Sequence, residues 1–395
     1  MRVAFVISSL SYPPREGLHQ QSLVTATLLK NPDRTVHLYG FVKNRSLLDE
    51  AALTRDLGLR FELAPISTRL PDLVLFFANR LLPLRLRPSQ VRSLVERLTE
   101  YDVVHLENVG AAGLSRPSFA RRTIVGLIDP GTLRWRRFAS SASSIKDRVV
   151  AQIKCFLHSC IEQLIAFPGI TFQVVSKKDR EYLQRRHPFL DVIAIPVSVP
   201  SNLFDYPLST RDGTDRPILV AYLDLRQHHL RKSFLWFARE VLSRSVYARS
   251  AQLMVLGRVP ADAELISAVG DIETSFLEWV EDYREILGVA AVVVTPDLLG
   301  TGLKNRVIQS MAMGRAVLGT SVAFEGIDIK SGLDAVEADD PVIMASHLDA
   351  LLNDSMTCNS IGAAARASAF RQFDRSTVRK LWIDLYDRIK LRASP

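Results

Sequence analysis

The stretch "VVVTPDLLGTGLKNRVIQSMAMGRAVLGTS", residues 292–321, decides the fold of the second half of this sequence. Four β-favouring residues run into a proline, and a loop with Gly300 and Gly302 then opens a segment of helical periodicity. Where a glycine loop follows a strand and precedes a helix, backbone N–H groups and the helix dipole can hold a phosphate. The stretch therefore predicts one strand–loop–helix unit of a parallel α/β domain.

Two bases, Lys304 and Arg306, fall in the first turn of the predicted helix. A cation at a helix N-terminus is unfavourable by roughly 0.3–1 kcal/mol unless an anion is nearby, so we expect an anion there. Asn305 and Gln309 are four residues apart and share one helical face, from which they could reach the hydroxyls of a sugar or ribose. The alternative interpretation is a tight turn with solvated bases.

The same alternation of short apolar runs and helical segments extends outward through both halves of the chain, which is typical of βαβ units around a parallel sheet. The expected helices span 17–30, 88–100, 145–165, 232–246, 261–269 and 282–289. The strand candidates are "RVAFVIS", "VHLYGFV", "DVVHLE", "TIVGLID", "TFQVVS", "DVIAIPV", "PILVAYLD", "AQLMVLG", "SFLEWV" and "AAVVVTP". We predict an α/β protein with two Rossmann-like domains facing each other across a cleft.

The domain boundaries follow from composition. Residues 201–216 lie in a stretch dense in Pro, Ser, Asp and Gly and are interpreted as a linker. The linker separates an N-terminal Rossmann-like domain, 1–200, from a C-terminal Rossmann-like domain, 217–372. Residues 373–395 are expected to form a C-terminal helix that packs back on the first domain.

Bulk composition excludes several classes of protein. The 395 residues are 47% hydrophobic and 23% charged, as in ordinary soluble globular proteins, and the net charge of +8 fits an anionic partner. The three cysteines lack the spacing of a disulfide framework or a zinc site, so we expect a reducing cytoplasm. "MRVAFVISSL" reads as a first strand and not as a signal peptide, and no run reaches the ~18 apolar residues of a membrane span.

A second basic group follows the first strand of the C-terminal half. In "YLDLRQHHLRKSF", Arg226 and Arg231 are five residues apart at a strand end that should open on the same side of the sheet as the glycine loop. Arginine suits bidentate phosphate recognition, so these two residues are candidates for holding a phosphate group.

The stretch "GTGLKNRVIQSMAMGRAVLGTSVAFEGI" resembles the nucleotide-sugar-binding motif of GT-B glycosyltransferases of the family-4 type, particularly bacterial exopolysaccharide sugar transferases. The segments "SYPPREGLHQQSLVTATLL", "GLIDPGTLRWRRFA", "VVSKKDREYL" and "LMVLGRVP" resemble other parts of that family in the same order. The resemblance implies transfer of a sugar from a nucleotide-diphosphate sugar to an acceptor hydroxyl of a lipid-linked or polysaccharide intermediate.

The resemblance also implies site residues. The first domain would bind the acceptor, with Gly17 and His19 on the acceptor side, and the second would bind the donor. The implied donor-binding residues are Arg226, Arg231, Gly300, Gly302, Lys304, Asn305 and Gln309. The family often carries two carboxylates eight residues apart around the glycine loop, where this sequence has Thr301 and Gln309. Gln309 can hydrogen-bond a ribose but supplies no charge.

No Asp-x-Asp motif follows a strand of the second half, so we expect a metal-independent enzyme without a cofactor, in which fixed cations and backbone amides stabilise the leaving diphosphate.

Asp129, after the strand "TIVGLI", is the first candidate for a general base, and Glu107 is the second. Asp129 could equally be a turn former before Pro130, and Glu107 a capping carboxylate. His19 and His105 are expected to be structural or solvated. A retaining mechanism would need no such base.

Residues 72–98 mix bulky apolar side chains with five arginines, as in an element that lies on an anionic membrane. This interpretation predicts a cytoplasmic protein at the inner face of the plasma membrane, whereas the alternative is a core helix with a basic outer face.

Three other functions stay open. A nucleic-acid-binding protein would explain the charge but shows no binding motif, so no nucleic acid is expected. A non-catalytic GT-B binding or scaffold protein and a sugar-nucleotide epimerase are the remaining alternatives.

Overall fold

The computed structural model describes residues 1–8, 10–12, 17–42, 48–65, 88–142, 144–207, 216–258 and 260–393. The chain divides into two compact units. Unit 1 comprises Met1–Ser198 and Ser376–Pro395, and unit 2 comprises Val199–Arg375. The chain thus leaves unit 1 once and returns to it with its last residues.

Unit 1 contains a parallel sheet of seven strands in the order β3-β2-β1-β4-β5-β6-β7 within its described residues. The strands are β1 (Arg2–Ile7), β2 (Thr35–Val42), β3 (Arg60–Pro65), β4 (Val103–Glu107), β5 (Thr123–Ile128), β6 (Thr171–Val174) and β7 (Asp191–Ala194). Nearly every residue of the central strands is buried, because helices cover both faces of a parallel sheet.

The helices of unit 1 alternate with these strands until the chain leaves the unit. They are α1 (Gly17–Leu28), α2 (Glu50–Leu57), α3 (Pro88–Leu98), α4 (Asn108–Ala112), α5 (Gly131–Ser141), α6 (Ile145–Ile165) and α7 (Lys177–Arg186). Capping residues explain several helix starts: the Ser144 hydroxyl accepts the N–H of Asp147 and that of Ser176 accepts the N–H of Asp179, each at 3.0 Å.

The last helix of the chain, α14 (Arg375–Ala393), belongs almost entirely to unit 1. Its Trp382 and Tyr386 are buried in one hydrophobic cluster with Val3 and Phe5 of β1. Outside the cluster, the guanidinium of Arg34 donates to Asp387 at 2.7 Å. This helix therefore completes the core on one face of the first sheet.

In the described part of unit 2, a second parallel sheet has six strands in the order β10-β9-β8-β11-β12-β13. The strands are β8 (Ile218–Tyr222), β9 (Gln252–Leu256), β10 (Thr274–Leu277), β11 (Val292–Thr295), β12 (Ala316–Gly319) and β13 (Val336–Glu337). The helices are α8 (His228–Trp236, continued by a π-helical turn over Phe237–Leu242), α9 (Ala263–Val269), α10 (Tyr283–Val289), α11 (Asn305–Ala312), α12 (Pro341–Asn353) and α13 (Ser355–Phe373).

The expected α/β fold with two parallel sheets is confirmed, and helix 145–165 has the expected bounds. Strands β3, β12 and β13 were not expected from the sequence. Of the basic segment 72–98, residues 72–87 lie outside the described part of the chain, and 88–98 form α3. Within the described residues, no helix is long and apolar enough to cross a membrane.

Candidate functional site

The candidate donor site lies at the carboxyl edge of the unit 2 sheet. Strands β8 and β11 are adjacent and parallel, with Val294 paired to Ala221, so the loops that follow them emerge side by side. The first loop leads into α8 and the second is the glycine loop that leads into α11. In open α/β sheets, ligands bind beyond this edge.

The glycine loop bends back on itself before α11 begins. Gly302 has a φ of +66°, a conformation that glycine adopts without the strain a Cβ would cause. Lys304 is the N-cap of α11, and its ammonium group donates to the Gly302 carbonyl at 2.7 Å. The Lys304 side chain is therefore held beside the loop, one residue before the helix on which we had placed it.

The second base in the opening stretch, Arg306, is paired inside the protein. Its guanidinium forms an ion pair with Asp297, whose side chain is only 1% exposed. The anion beside Arg306 is thus the carboxylate of Asp297, a residue of the protein itself. The expectation that a bound anion would lie beside Arg306 is therefore wrong. Asp297 follows β11 after one proline, in "TPD", but the sequence pattern did not single it out as a site residue.

Two contacts between distant parts of the sequence fix the start of this loop. The Ser233 hydroxyl of α8 accepts the backbone N–H of Leu298 at 3.1 Å. The Thr320 hydroxyl, after β12, donates to the backbone carbonyl of Asp297. The loop is therefore anchored on both sides while its glycines remain at the edge of the sheet.

Gln309 faces the first strand of the unit. The Tyr222 hydroxyl, at the end of β8, donates to the Gln309 side-chain oxygen at 3.4 Å, and the Tyr222 ring stacks on Tyr283 with centroids 6.2 Å apart. Burial raises the pKa of Tyr222, so its hydroxyl stays protonated and can serve as a donor at neutral pH. Asn305 and Gln309 remain half-exposed on the same side of α11.

The two predicted phosphate-binding arginines are engaged by nearby carboxylates. Arg226 is exposed and forms a bidentate pair with Asp224 at 2.8–2.9 Å. Arg231, in α8, lies 2.7 Å from Asp262 and 3.0 Å from Glu264 at the start of α9. Both arginines lie at the expected edge of the sheet, but each binds its own acidic neighbours and not the glycine loop.

His229 was missed by the sequence analysis, although it lies between the two arginines in "RQHHLR". Burial lowers its pKa, and the charges of Arg306 and Lys304 lower it further, while Asp297 raises it. The pKa of His229 is thus influenced by two residues of the glycine loop, Asp297 and Lys304, and by Arg306 at the start of α11. Its place in the first turn of α8 could not be recognised before the two loops were known to be adjacent.

In unit 1, Asp129 follows β5 at a distorted position. Ile128 has a φ of +61° beside a register shift between β5 and β6, and the next residue, Asp129, lies 3.6 Å from the Arg134 guanidinium. The residues after Pro130 form helix α5. Asp129 is mostly but not fully buried, with 15% of its side chain exposed.

Two further polar residues, His158 and Glu162 of α6, lie at the start of α5. The imidazole packs directly on Gly131, where an added Cβ would lie 2.1 Å from Nδ1. Burial, assisted by Arg134, lowers the pKa of His158 to about 4, so the ring is neutral at pH 7. The Glu162 carboxylate accepts the N–H of Thr132 at 3.0 Å, and burial raises its pKa.

Glu107 is buried in a polar network. Its Oε1 accepts the Ser22 hydroxyl at 3.2 Å and its Oε2 lies 2.8 Å from His105 Nε2, while His105 Nδ1 contacts the Tyr386 hydroxyl of α14. His105 itself is fully buried. Glu107 is the N-cap residue of α4, yet its side chain forms no capping hydrogen bond.

The acceptor-side candidates are described only in their backbone. Helix α1 begins at Gly17 and includes His19, whose side chain lies outside the described part of the chain. Within the described residues, no three His, Cys, Asp or Glu side chains come together in a group that could hold a metal ion.

The family model for "Glycosyl transferases group 1" matches residues 217–354, which include the glycine loop and both arginines. No curated protein sequence matches the chain. Among solved structures, the chain is similar to sucrose-phosphate synthase of Thermosynechococcus elongatus, with a TM-score of 0.71, 15% identity and 100% of both chains covered.

Two further solved structures are similar to the chain. One is HepE of Anabaena in complex with UDP, and the other is WaaG, a glycosyltransferase involved in lipopolysaccharide biosynthesis. For HepE the TM-score is 0.66 and the identity 15%, with 98% of this chain and 100% of that chain covered. For WaaG the TM-score is 0.66 and the identity 14%, with 96% of this chain and 98% of that chain covered. The chain therefore has the GT-B fold of these glycosyltransferase structures, and its residues 217–354 match the model of the group 1 glycosyl transferases.

Proposed function

We propose that this enzyme transfers a sugar from a nucleotide-diphosphate sugar to an acceptor hydroxyl of a lipid-linked or polysaccharide intermediate, without a metal ion. The observation that carries the proposal is the anchored glycine loop at the carboxyl edge of the unit 2 sheet, which opens α11 inside the group 1 domain. Loop amides and a helix N-terminus are suited to a diphosphate.

Similar structures support a nucleotide-sugar donor. HepE of Anabaena has been solved with UDP, with UDP and glucose, and with UDP-glucose. In this chain, the half-exposed Asn305 and Gln309 would contact hydroxyls of the ribose or sugar, because both offer amide groups on one side of α11. Gln309 would keep its contact with Tyr222 or exchange it for a hydroxyl of the donor.

The leaving diphosphate would be held by Lys304, Arg226 and Arg231. Lys304 would exchange the Gly302 carbonyl for a phosphate oxygen. Arg226 is exposed, and exposed ion pairs contribute only about 0–1 kcal/mol, so its pair with Asp224 is readily exchanged. Arg231 contacts two carboxylates and would exchange less readily. We therefore rank Lys304 and Arg226 above Arg231.

For an inverting transfer, Asp129 is a better candidate base than Glu107. Asp129 retains some exposure, whereas Glu107 is 5% exposed and is already engaged by Ser22 and His105. A general base must reach the hydroxyl proton that it removes, so the carboxylate that retains more exposure is the more suitable of the two.

The acceptor is proposed to be a lipid-linked or glycan intermediate. WaaG, which has the same fold, is involved in lipopolysaccharide biosynthesis, and TarM of S. aureus has been solved with α-GlcNAc-glycerol and UDP. An enzyme with a net charge of +8 would also be attracted to phosphorylated acceptors.

The test is a thermal-shift screen of UDP, GDP, ADP, CMP and dTDP sugars, since a ligand that binds the folded state raises its melting temperature. The affinity of the best donor is then measured for the wild type, Lys304→Ala and the control Lys330→Ala, an exposed lysine of the same unit. A charge-assisted hydrogen bond contributes about 1.5–3 kcal/mol, so Lys304→Ala should weaken donor binding by roughly ten-fold or more.

Lys330→Ala should leave the affinity unchanged. If no donor raises the melting temperature, the proposed activity is wrong. If a donor binds but Lys304→Ala binds it as tightly as the wild type, the activity can stand and the site assignment is wrong.

A further inference from the structure

Helix α6 of unit 1 carries a row of exposed apolar side chains that the donor and acceptor sites do not use. Ile145, Val149, Ile153 and Phe156, here called the α6 stripe, are spaced at intervals of four, four and three residues. At about 100° per residue they fall within a sector of about 80° and extend over roughly 16 Å of helix. Ile145 is 82% exposed and Phe156 is 68% exposed.

Single exposed apolar residues are normal on a protein surface, but a continuous row is typical of an interaction surface. The opposite face of α6 packs inward, with Ala151, Ile161 and Ile165 buried. The helix is therefore already packed on one side, and the stripe is a second apolar face that points to solvent.

Basic residues surround the stripe. A groove of about 760 Å³ between α5 and α6 is lined by Phe156 of the stripe together with Arg136, Arg148 and Arg186. Arg136 and Arg148 are exposed, while Arg186 donates to the Ser159 hydroxyl at 2.8 Å. We call these three arginines the arginine groove.

The charge of this region is strongly one-sided. Residues 131–165, which form α5, α6 and their connection, contain six Lys or Arg and two Asp or Glu, so they carry a net charge of +4 out of +8 for the whole chain. Of the two acids, Asp147 is bonded to its capping Ser144, and Glu162 is buried against Thr132 and lies 3.7 Å from the Arg186 guanidinium. Glu162 offsets part of the Arg186 charge, but the bases around the stripe still outnumber the acids.

We propose that the α6 stripe and the arginine groove form a docking surface for an anionic lipid bilayer. The apolar side chains would enter the boundary between headgroups and acyl chains, and the three guanidinium groups would contact lipid phosphates. A second copy of the chain is a poorer occupant, because a symmetric dimer through this face would bring two regions of +4 together. Vesicle binding requires no turnover, so the surface does not depend on the proposed donor or acceptor.

The test is co-sedimentation with vesicles of phosphatidylcholine, alone or mixed in equal parts with phosphatidylglycerol. The double variant Ile153→Ser/Phe156→Ser removes the centre of the stripe, and its matched control is Ile343→Ser/Met356→Ser, two exposed apolar residues of unit 2. The wild type should bind the mixed vesicles. The stripe variant should bind them at least ten-fold more weakly, since two large apolar side chains no longer insert, and the control should bind like the wild type.

A second pair of variants tests the charges. Arg136→Gln/Arg148→Gln should weaken binding to mixed vesicles by roughly five-fold for each charge removed, and added salt should reduce this difference. The control Arg249→Gln/Arg371→Gln changes two exposed arginines of unit 2 and should have a much smaller effect. All the altered side chains are exposed, so each variant should melt at the temperature of the wild type.

Failure of the wild type to bind mixed vesicles would overturn the proposal, and so would equal binding by the stripe variant. Equal binding of the wild type to vesicles with and without phosphatidylglycerol would refute the role of the arginine groove. A dimer in sedimentation velocity that only the stripe variant dissociates, without vesicle binding, would assign the surface to a second copy of the chain instead.

Discussion

The ion pair between Arg306 and Asp297 should stabilise unit 2 as well as shape its glycine loop. Replacing Arg306 by Met keeps an unbranched side chain and removes the charge. Asp297 would then remain as a carboxylate that is 1% exposed, and its Oδ2 already has no hydrogen-bond partner among the described residues. Thr320 would still contact this residue through the backbone carbonyl, but it would not neutralise the carboxylate.

The expected loss can be estimated from burial. Removing one partner of a buried pair costs about 3–5 kcal/mol, because an uncompensated charge is left inside. The Arg306 side chain is 18% exposed, so water would reach part of the vacated space, and we expect a loss at or just below the lower limit of that range, about 2–3 kcal/mol. For a unit of this size, the melting temperature should fall by about 5–10 °C.

The assay is differential scanning calorimetry on four proteins: the wild type, Arg306→Met, Arg306→Met/Asp297→Asn and the control Arg284→Met. Arg284 pairs with Asp282 at the surface, where an ion pair contributes at most about 1 kcal/mol. The double variant removes both charges and should regain at least half of the loss. The reasoning is refuted if Arg306→Met melts no lower than Arg284→Met, or if the double variant is no more stable than Arg306→Met.

Three further predictions concern catalysis and pH. Asp129→Asn should reduce turnover by about 10²–10⁴-fold, with donor affinity unchanged, if Asp129 is the base; turnover above about a tenth of wild type would contradict that role. Turnover should survive EDTA, and a loss that Mg²⁺ or Mn²⁺ restores would overturn metal independence. Because the pKa of His158 falls from 6.5 to about 4 on folding, the unfolded chain binds its proton first, and stability should decrease as the pH falls from 6.5 to 4. His158→Gln should flatten that part of a curve of melting temperature against pH, and an unchanged slope would contradict the assignment.

The alternation of strands and helices could be predicted because central strands of parallel sheets are short, fully apolar runs. The missed strands lack this pattern. β3 reads "RFELAP", with charged residues alternating at the edge of the sheet, and β13 has only two residues. β12 is four residues long and follows α11 so closely that periodicity could not separate the two.

The site was predictable only where it is local in sequence. The glycine loop and the polar side of α11 are contiguous, so their order indicated a phosphate site before any coordinates were known. The contacts that hold the loop and α11 in place join residues far apart in the chain: Ser233 contacts Leu298 of the loop, and Tyr222 contacts Gln309 of α11. Only the adjacency of β8 and β11 brings these residues together, and no spacing along the sequence encodes it.

The return of α14 to unit 1 has a consequence for the order in which the protein is made. Domains fold as units during synthesis, beginning with the N-terminal one. Here the buried face of β1 is incomplete until Trp382 and Tyr386 have emerged, whereas unit 2 is continuous in sequence and is finished first. Nascent chains stalled before α14 should therefore be cleaved in unit 1 by a protease that spares unit 2, and those released with α14 should resist. On the ribosome, the first unit to be synthesised is the last to become complete.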